Sequence, residues 1–548
     1  MKTPRNVLRF FLLLGSMPLL FAQTDSDCLQ MHEPVADFSG DGLDFGRENV
    51  FVVSEVLAES PDSNSALSDE QWDEPVAELD DISEKKIYVE GLVKGGYPLL
   101  FGGNFLLYRN SGPAPFLLRF FHESITGYGL HSGTEGYDQK NTALHGEKRF
   151  ELEKASVLLS ASYDMGDYGL QQHSPTFFDM THQTVRSTDS VVWQLPLHLS
   201  AGISVFGEWY ARYVGIVRGA SPYLSQEAES SVLSLLPEFC FGWKYKDFDV
   251  GLHARYMFEH GFIGQTDIPG VVSDRTETAH RFEAAFSSVL KFSALELSAY
   301  VAMVTGNTQG NQTVLVPFMF GLGGEWDVGR SGRQFRLSVK GGLDSQMERQ
   351  SELERLYRFS FAHYLPTEKS DWFASVETDI PLAKAFAVEA SIVWRTTAFK
   401  NGIWEPDYGS PLSTSALYLL LPKTRTLFNS TLGVSFSYKI ITISAEWNTC
   451  WLHVPALEER TAVGVKVLLQ PENERWGVSF MLREALGSGA DFCPVISADV
   501  FYRVHRVIQL GIACTDFCKL VSGHTRSYAS SGYEQNSGTA SVFVKFFF

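Results

Sequence analysis

Three places in this chain of 548 residues put a histidine near a carboxylate, the pairing that general acid–base chemistry uses. They are His122–Glu123, His253 with Glu259, and His280 with Glu283. Because the 14 histidines are dispersed, such neighbours arise by chance. The sequence also lacks HExxH, P-loop, GxSxG and paired CxxC motifs, the usual signatures of metal, phosphate and nucleophile chemistry. We therefore expect no enzyme, no catalytic residue, no metal site and no cofactor.

A second set of chemically capable residues consists of charged side chains that fall on one face of predicted strands. Its members are Glu208, Arg212, Arg255, Arg336, Lys340, Glu389 and Arg395. A charge facing lipid would cost about 2–4 kcal/mol at the bilayer midplane, so confinement to one face indicates a hydrated interior. These residues are candidates for binding a solute there. Ion pairs that brace the inner wall are the alternative explanation.

The segment 87–548 alternates apolar and polar residues with period two, which predicts strands with one apolar and one wet face. One such strand puts Ile203 and Trp209 on one face, with Glu208 and Arg212 on the other. The net charge is −19 and basic clusters are lacking, so no nucleic-acid partner is expected. The chain is expected to be all-β.

The predicted connections alternate in length. Tight turns are expected at Ser200–Gly202, Lys439–Ile440 and Pro471–Glu474, and long polar loops at Ile263–Arg275 and Met347–Lys369. Short turns on one side and long loops on the other are typical of outer-membrane barrels. The prediction is a large antiparallel transmembrane β-barrel over 87–548, with about 20–22 strands and an even total.

The last strand ends the chain on an aromatic residue. Val542, Val544, Phe546 and Phe548 share one face of it, and this ending resembles the C-terminal insertion signal of bacterial outer-membrane proteins. The resemblance implies two partners, the barrel-assembly machinery and outer-membrane lipid. The alternative is an ordinary edge strand.

The other end of the chain predicts export. Residues 1–22 combine a basic start, an apolar run and Ala22, as in a cleaved signal peptide. Residues 23–86 carry 18 acidic against 3 basic side chains, and we expect a mostly disordered periplasmic extension. The expected location is the bacterial outer membrane.

Six cysteines are too few for a disulfide framework in an exported chain of this size. A turn could bring Cys493 close to Cys514 or Cys518, so a cross-strand disulfide is one alternative. Unpaired buried thiols are the other.

The C-terminal half resembles the barrel of TonB-dependent receptors. The resemblance rests on Gly341–Asp344, a long loop, Trp372–Glu377, Pro381–Lys384 and the terminal Phe strand, with about 22 strands overall. It implies uptake of an unknown small-molecule cargo through the outer membrane. It also implies a coupling box for a periplasmic energy-coupling protein, for which Glu48, Val50, Val52 and Val53 are the candidate residues.

The chain departs from that family in its N-terminal region. Only the 64 residues 23–86 stand where the family has a plug domain, so the barrel is expected to be open unless its loops fold inward. Two alternatives to uptake stay open. One is a surface adhesin or structural barrel that binds partners through long loops, and the other is a secreted soluble β-protein.

Overall fold

The computed structural model describes residues 87–109, 114–174, 177–216, 228–263, 275–308, 311–327, 334–362, 368–383, 385–398, 403–409, 417–454, 459–471, 475–486, 494–527, 531–536 and 538–548. The predicted signal peptide, acidic extension and coupling box lie outside these residues, as does Cys493. Cys514 and Cys518 carry free thiols. No helix in the described part of the chain is long and apolar enough to cross a membrane.

The described residues form an all-β chain with two short α-helices and one 3₁₀ helix, Gly133–Glu135. In chain order the other elements are β1 (Tyr88–Tyr97), β2 (Leu100–Arg109), β3 (Phe116–Thr126), β4 (Asp138–Glu151), β5 (Ala155–Gly169), β6 (Phe177–Leu195), β7 (Leu199–Ile216), β8 (Ala228–Tyr245), β9 (Phe248–Ile263), β10 (Arg275–Phe292), β11 (Leu295–Thr308), β12 (Asn311–Leu315), β13 (Phe318–Asp327), β14 (Gln334–Met347), α1 (Gln350–Leu356), β15 (Ser360–Ala362), β16 (Glu368–Ala383), β17 (Phe386–Thr397), β18 (Ile403–Pro406), β19 (Tyr418–Lys423), β20 (Thr426–Tyr438), β21 (Ile441–Cys450), β22 (Thr461–Leu469), β23 (Trp476–Leu486), β24 (Val495–His505), β25 (Ile508–Thr515), α2 (Phe517–Ser522), β26 (Arg526–Ser527), β27 (Glu534–Gln535) and β28 (Thr539–Phe547).

All strands except β15, β18, β19, β26 and β27 belong to one antiparallel sheet that closes on itself. The first and last strands pair, with Glu90 opposite Phe547 and Tyr97 opposite Ala540. β12 and β13 pair in succession with β11 and so make one interrupted barrel strand. The described chain is therefore a closed barrel of 22 strands, which confirms the predicted fold and the upper end of the predicted range.

The two faces of the strands separate as the alternation predicts. Val542 on β28 and Phe548 directly after it are 60% and 61% exposed, whereas Lys545 on the opposite face of β28 is buried. On β7, Ile203 is outward and exposed, and Glu208 is buried on the inner side. An apolar outer surface around a polar interior is the arrangement that lipid requires of a barrel. The role of the C-terminal residues as an insertion signal stays a prediction.

The two ends of the barrel differ in their connections. Both β1 and β28 reach one end, named the terminal end, where Val89 N donates a hydrogen bond to Phe548 O. Connections there are short, such as 246–247 and 439–440. The longest connections, 348–367, 398–425 and 516–538, all lie at the opposite end, named the loop end.

One predicted turn is wrong. Ser200–Gly202 belongs to β7, and the turn precedes it at Pro196–His198. Leu197 and His198 have positive φ angles of 65° and 61°, as in the type I′ turns that join two strands tightly. The sequence there has no Asn-Gly or Asp-Gly pair, so the position of the turn could not be predicted from the sequence.

The described parts of the three longest connections pack together at the loop end of the barrel. β15, from the connection between β14 and β16, pairs in parallel with β19, and β19 pairs antiparallel with β18. The last connection contributes the β26–β27 pair. Residues 348–362, 403–409, 417–423, 526–527 and 531–536 are named the cap.

Candidate functional site

The barrel encloses a cavity of about 2890 Å³. Its lining runs from Ser293 and Ala294, in a turn at the terminal end, to Glu352, Arg355 and Arg358 on the underside of the cap. The described lining residues include twelve Lys or Arg and twelve Asp or Glu, so the charges of the cavity balance. The lumen is therefore polar but without an excess of either sign.

Many of these charges are already paired with one another. Six ion pairs lie within the described lining: Lys94–Glu123, Asp164–Arg186, Lys291–Glu296, Glu325–Arg336, Glu459–Arg483 and Glu90–Lys545. Four of these pairs join neighbouring strands on the wet side of the wall, and Lys94–Glu123 joins β1 to β3 across β2. They also lower the number of charges available to an ionic solute.

The cap is anchored to the barrel wall at Glu354 of α1, whose carboxylate is fully buried. Its Oε1 accepts hydrogen bonds from Gln350 Nε2 at 2.8 Å and from the backbone N of Ala362 at 2.9 Å. Its Oε2 accepts from the hydroxyl of Tyr210 at 2.7 Å and lies 2.9 Å from Arg212 Nη1. The first two partners belong to the cap and the last two to β7, so one carboxylate joins the two structures.

A second contact lies one turn of α1 away, at Glu208 of β7. Ser351 Oγ donates a hydrogen bond to Glu208 Oε1, and Arg186 Nε donates to Oε2. Arg349, which precedes α1, lies 3.8 Å from the same carboxylate and stacks over the ring of Phe206. Glu208 is buried and would be costly without these partners.

The interior of the cap is aromatic. The rings of Phe359 and Tyr533 stack with centroids 3.8 Å apart, which joins the first of the long connections to the last. Tyr418, from the middle connection, accepts a hydrogen bond from Gly532 N at 3.0 Å. These side chains pack with wall residues that include Met180 in one buried cluster. The three connections therefore form one packed unit.

A shorter connection of the same end is tied into this unit. Gln171 Nε2 donates to the carbonyl of Glu534 at 2.6 Å, and Glu534 N donates to Gln171 Oε1 at 2.7 Å. The same Nε2 lies 2.8 Å from the hydroxyl of Tyr128. Since Gln171 is itself buried, this paired contact seals the edge of the cap against β5 and β6.

One carboxyl group of the cap, that of Glu348, has a strongly perturbed pKa. Glu348, directly after β14, has its pKa raised to about 7 by burial, and nearby Lys369 acts in the opposite direction. Its Oε2 is buried without a hydrogen-bond partner among the described residues. A carboxyl in this position is close to half protonated at neutral pH.

The structure separates the seven predicted lumen residues into three groups. Glu208 and Arg212 both lie beneath the cap, where Glu208 accepts a hydrogen bond from Ser351 of α1 and Arg212 pairs with Glu354 of α1. Arg336, Lys340 and Glu389 line the cavity. Arg255 pairs with Glu238 at 3.0 Å, and Arg395 pairs with Asp344 at 3.2 Å, both as contacts along the wall. A role in binding a solute stays a prediction for all seven.

Residues that sequence reasoning missed are those of the cap, above all Glu354, Ser351 and Phe359. The available signal was the segment Gln350–Leu356, whose composition favours a helix inside a long loop. No group of three or more His, Cys, Asp or Glu that could hold a metal ion occurs among the described residues.

Solved structures similar to this chain include proteins described as transporters and receptors. The chain matches the FrpB iron transporter from Neisseria meningitidis with a TM-score of 0.63 and 8% identity, over 85% of this chain and 82% of that one. It matches the copper transporter OprC with a TM-score of 0.62 and 11% identity, over 84% and 80%. For the siderophore receptor PirA from Acinetobacter baumannii the values are 0.60 and 9%, over 84% and 80%.

The fold is that of TonB-dependent receptor barrels. At such low identity the likeness concerns the fold alone. No protein-family model matches the chain, and no curated protein matches it.

Proposed function

We propose that this chain is an outer-membrane barrel that takes up a small solute, with the loop end outside the cell and the terminal end in the periplasm. The observation that carries the proposal is a closed barrel around a balanced polar cavity of about 2890 Å³, with a cap of its own loops above it. The similar solved structures, described as transporters and receptors, support the same function.

The cap makes passage conditional in this proposal. It forms the outer boundary of the lumen through Glu352, Arg355 and Arg358. A solute arriving from outside therefore crosses only when the cap moves or rearranges. The described parts of the long connections pack on one another and on the wall, which favours a gate over loops that reach outward as an adhesin.

The candidate coupling box of residues 48–53 lies outside the described residues. Energy coupling through a periplasmic protein therefore stays a prediction made from the sequence. The lumen and cap are the parts of the proposal that can be tested on the purified chain.

The experiment compares the wild-type chain with a variant in which residues 349–361 are replaced by a short Gly-Ser linker. Both are reconstituted in liposomes, and swelling is followed with solutes of increasing size. We expect little swelling for the wild type and rapid swelling for the variant, because the linker removes α1 and β15. Resistance of the unheated protein to SDS verifies that the barrel has folded. If the folded variant admits no solute, the lumen does not conduct and the proposal is wrong.

A further inference from the structure

Two phenylalanine rings lie along the lumen wall instead of projecting across it. A Cβ placed on Gly511 would be 2.1 Å from Cζ of Phe543, and one placed on Gly477 would be 2.4 Å from Cε1 of Phe501. Each ring therefore covers the bare backbone of a glycine on the neighbouring strand. Both phenylalanines line the cavity, so the uncovered side of each ring faces the lumen.

The four residues form a single row across neighbouring strands. Gly477 of β23 is opposite Phe501 of β24, which is opposite Gly511 of β25, which is opposite Phe543 of β28. The two covered glycines are two strand spacings apart, about 10 Å. The result is a flat apolar strip, here named the phenylalanine strip, in a lining that elsewhere mixes polar side chains with apolar ones such as Phe121 and Leu468.

Hydrogen-bonding side chains border the strip on both sides. Toward the loop end lie Ser479 and Asp499, which bond to each other, and toward the terminal end lie Arg503, Gln509 and Lys545. All five line the same cavity. A ligand lying on the strip thus meets the Asp499 carboxylate on one side and the Gln509 amide and Arg503 guanidinium on the other, whereas Lys545 is already paired with Glu90.

The arrangement selects for a ligand with an apolar face and hydroxylated edges. The face of an aromatic ring is the negative pole of its quadrupole and attracts weakly positive C–H groups. The described lining has as many basic as acidic side chains, so the cavity as a whole favours neither cations nor anions. A planar aromatic ligand would also stack, but it would displace water from both polar borders without replacing most of the hydrogen bonds.

We propose that the phenylalanine strip is a binding site for a neutral saccharide. The sugar rings lie with their C–H faces on Phe501 and Phe543, and their hydroxyl groups bond to Asp499 and Gln509. This assignment rests on the proposed function, since it names the class of solute that the barrel takes up.

The test measures binding of maltohexaose and cellohexaose to the folded full-length protein in detergent by titration calorimetry. Riboflavin serves as the planar aromatic probe and citrate as the anionic probe. The variant is Phe501→Leu with Phe543→Leu, because leucine still covers the glycines but has no ring face. Phe480→Leu, on the outer face of β23, is the matched control. SDS resistance before heating verifies folding of each variant.

We expect a hexasaccharide to bind the wild type and the control equally. The dissociation constant should rise between about twofold and tenfold for each ring removed. The inference is overturned if neither hexasaccharide binds the wild type, if the double variant binds as tightly, or if riboflavin or citrate binds in preference. Swelling of liposomes that carry the cap-replaced variant separates the two failures. Conduction without saccharide binding rejects the inference alone, whereas absence of conduction rejects the proposed function.

Discussion

Replacement of Glu354 by alanine is expected to open the cap without unfolding the barrel. The fully buried carboxylate accepts hydrogen bonds from Gln350, Ala362 and Tyr210 and pairs with Arg212, which is itself 5% exposed. Truncation leaves the Arg212 guanidinium buried without this partner. The loss of one member of a buried ion pair destabilises by about 3–5 kcal/mol.

That free energy acts on the docking of α1 and not on the strand ladder, because Glu354 belongs to a connection between β14 and β16. It corresponds to a shift of roughly 10² to 10⁴ in the equilibrium between closed and open cap. The assay is single-channel recording in planar bilayers. Wild-type protein should be mostly silent, and Glu354→Ala should show long openings of large conductance.

Glu352→Ala is the matched control. Glu352 lies on the same helix, but its side chain is 47% exposed and pairs only with neighbouring Arg349 in the described structure. Such exposed pairs contribute at most about 1 kcal/mol, so the control should stay nearly as silent as the wild type. If folded Glu354→Ala is as silent as Glu352→Ala, Glu354 does not hold the cap closed and the reasoning is refuted.

Three further outcomes are expected. Gly96→Ala should prevent closure of the barrel, because a Cβ there would lie 1.9 Å from the carbonyl oxygen of Ala540 across the β1–β28 seam. Gly91→Ala on the same strand is the control, since the nearest atom to its Cβ would be 4.0 Å away. We expect resistance to SDS to be lost in Gly96→Ala and kept in Gly91→Ala. Glu348 has a pKa of about 7 in the folded cap, against an ordinary value of 4.5. Between these two pH values the folded cap keeps a proton that the unfolded chain has lost, so the stability of the cap falls as the pH rises from about 4.5 to 7. Protease resistance of the cap should therefore fall over that interval in the wild type and stay constant in Glu348→Gln. Val542 is exposed on the outer face, and an arginine there should lower the free energy of unfolding in lipid by about 2–4 kcal/mol if the residue faces the bilayer core. The measurement is urea titration of Val542→Arg in vesicles. An unchanged urea midpoint of unfolding would place the residue outside the hydrocarbon.

The barrel was predictable because each strand carries its own local signal. Period-two alternation states which side chains share a face, and Glu208 and Arg212 are inward and Ile203 outward as that rule requires. Alternating connection lengths then distinguish a barrel from a sandwich. The strand number follows from counting, and the pairing of β1 with β28 follows from an even count.

The cap was not predictable for a physical reason. Its stability comes from contacts between residues far apart in sequence, such as Tyr210 with Glu354 and Phe359 with Tyr533. Loops that extend into solvent and loops that fold into the barrel are both polar, because a loop that folds inward contacts the polar inner face of the barrel. No periodicity marks the difference, so the sequence predicted an outer loop at Met347–Lys369.

The same contacts explain why Glu208 and Arg212 are buried although they were predicted to face water. Side chains that point inward at the loop end of β7 face the cap. There Arg212 pairs with Glu354 of α1, and Glu208 accepts a hydrogen bond from Ser351 of α1. Farther from the cap, Arg336, Lys340 and Glu389 line the cavity, and no described segment covers them. A single wet face of the wall therefore serves two purposes: its upper part recognises the protein's own loop, and its lower part is available to a solute. Anchors in the upper part and ligand contacts in the lower part should consequently respond to substitution in different assays, the first in gating and the second in binding.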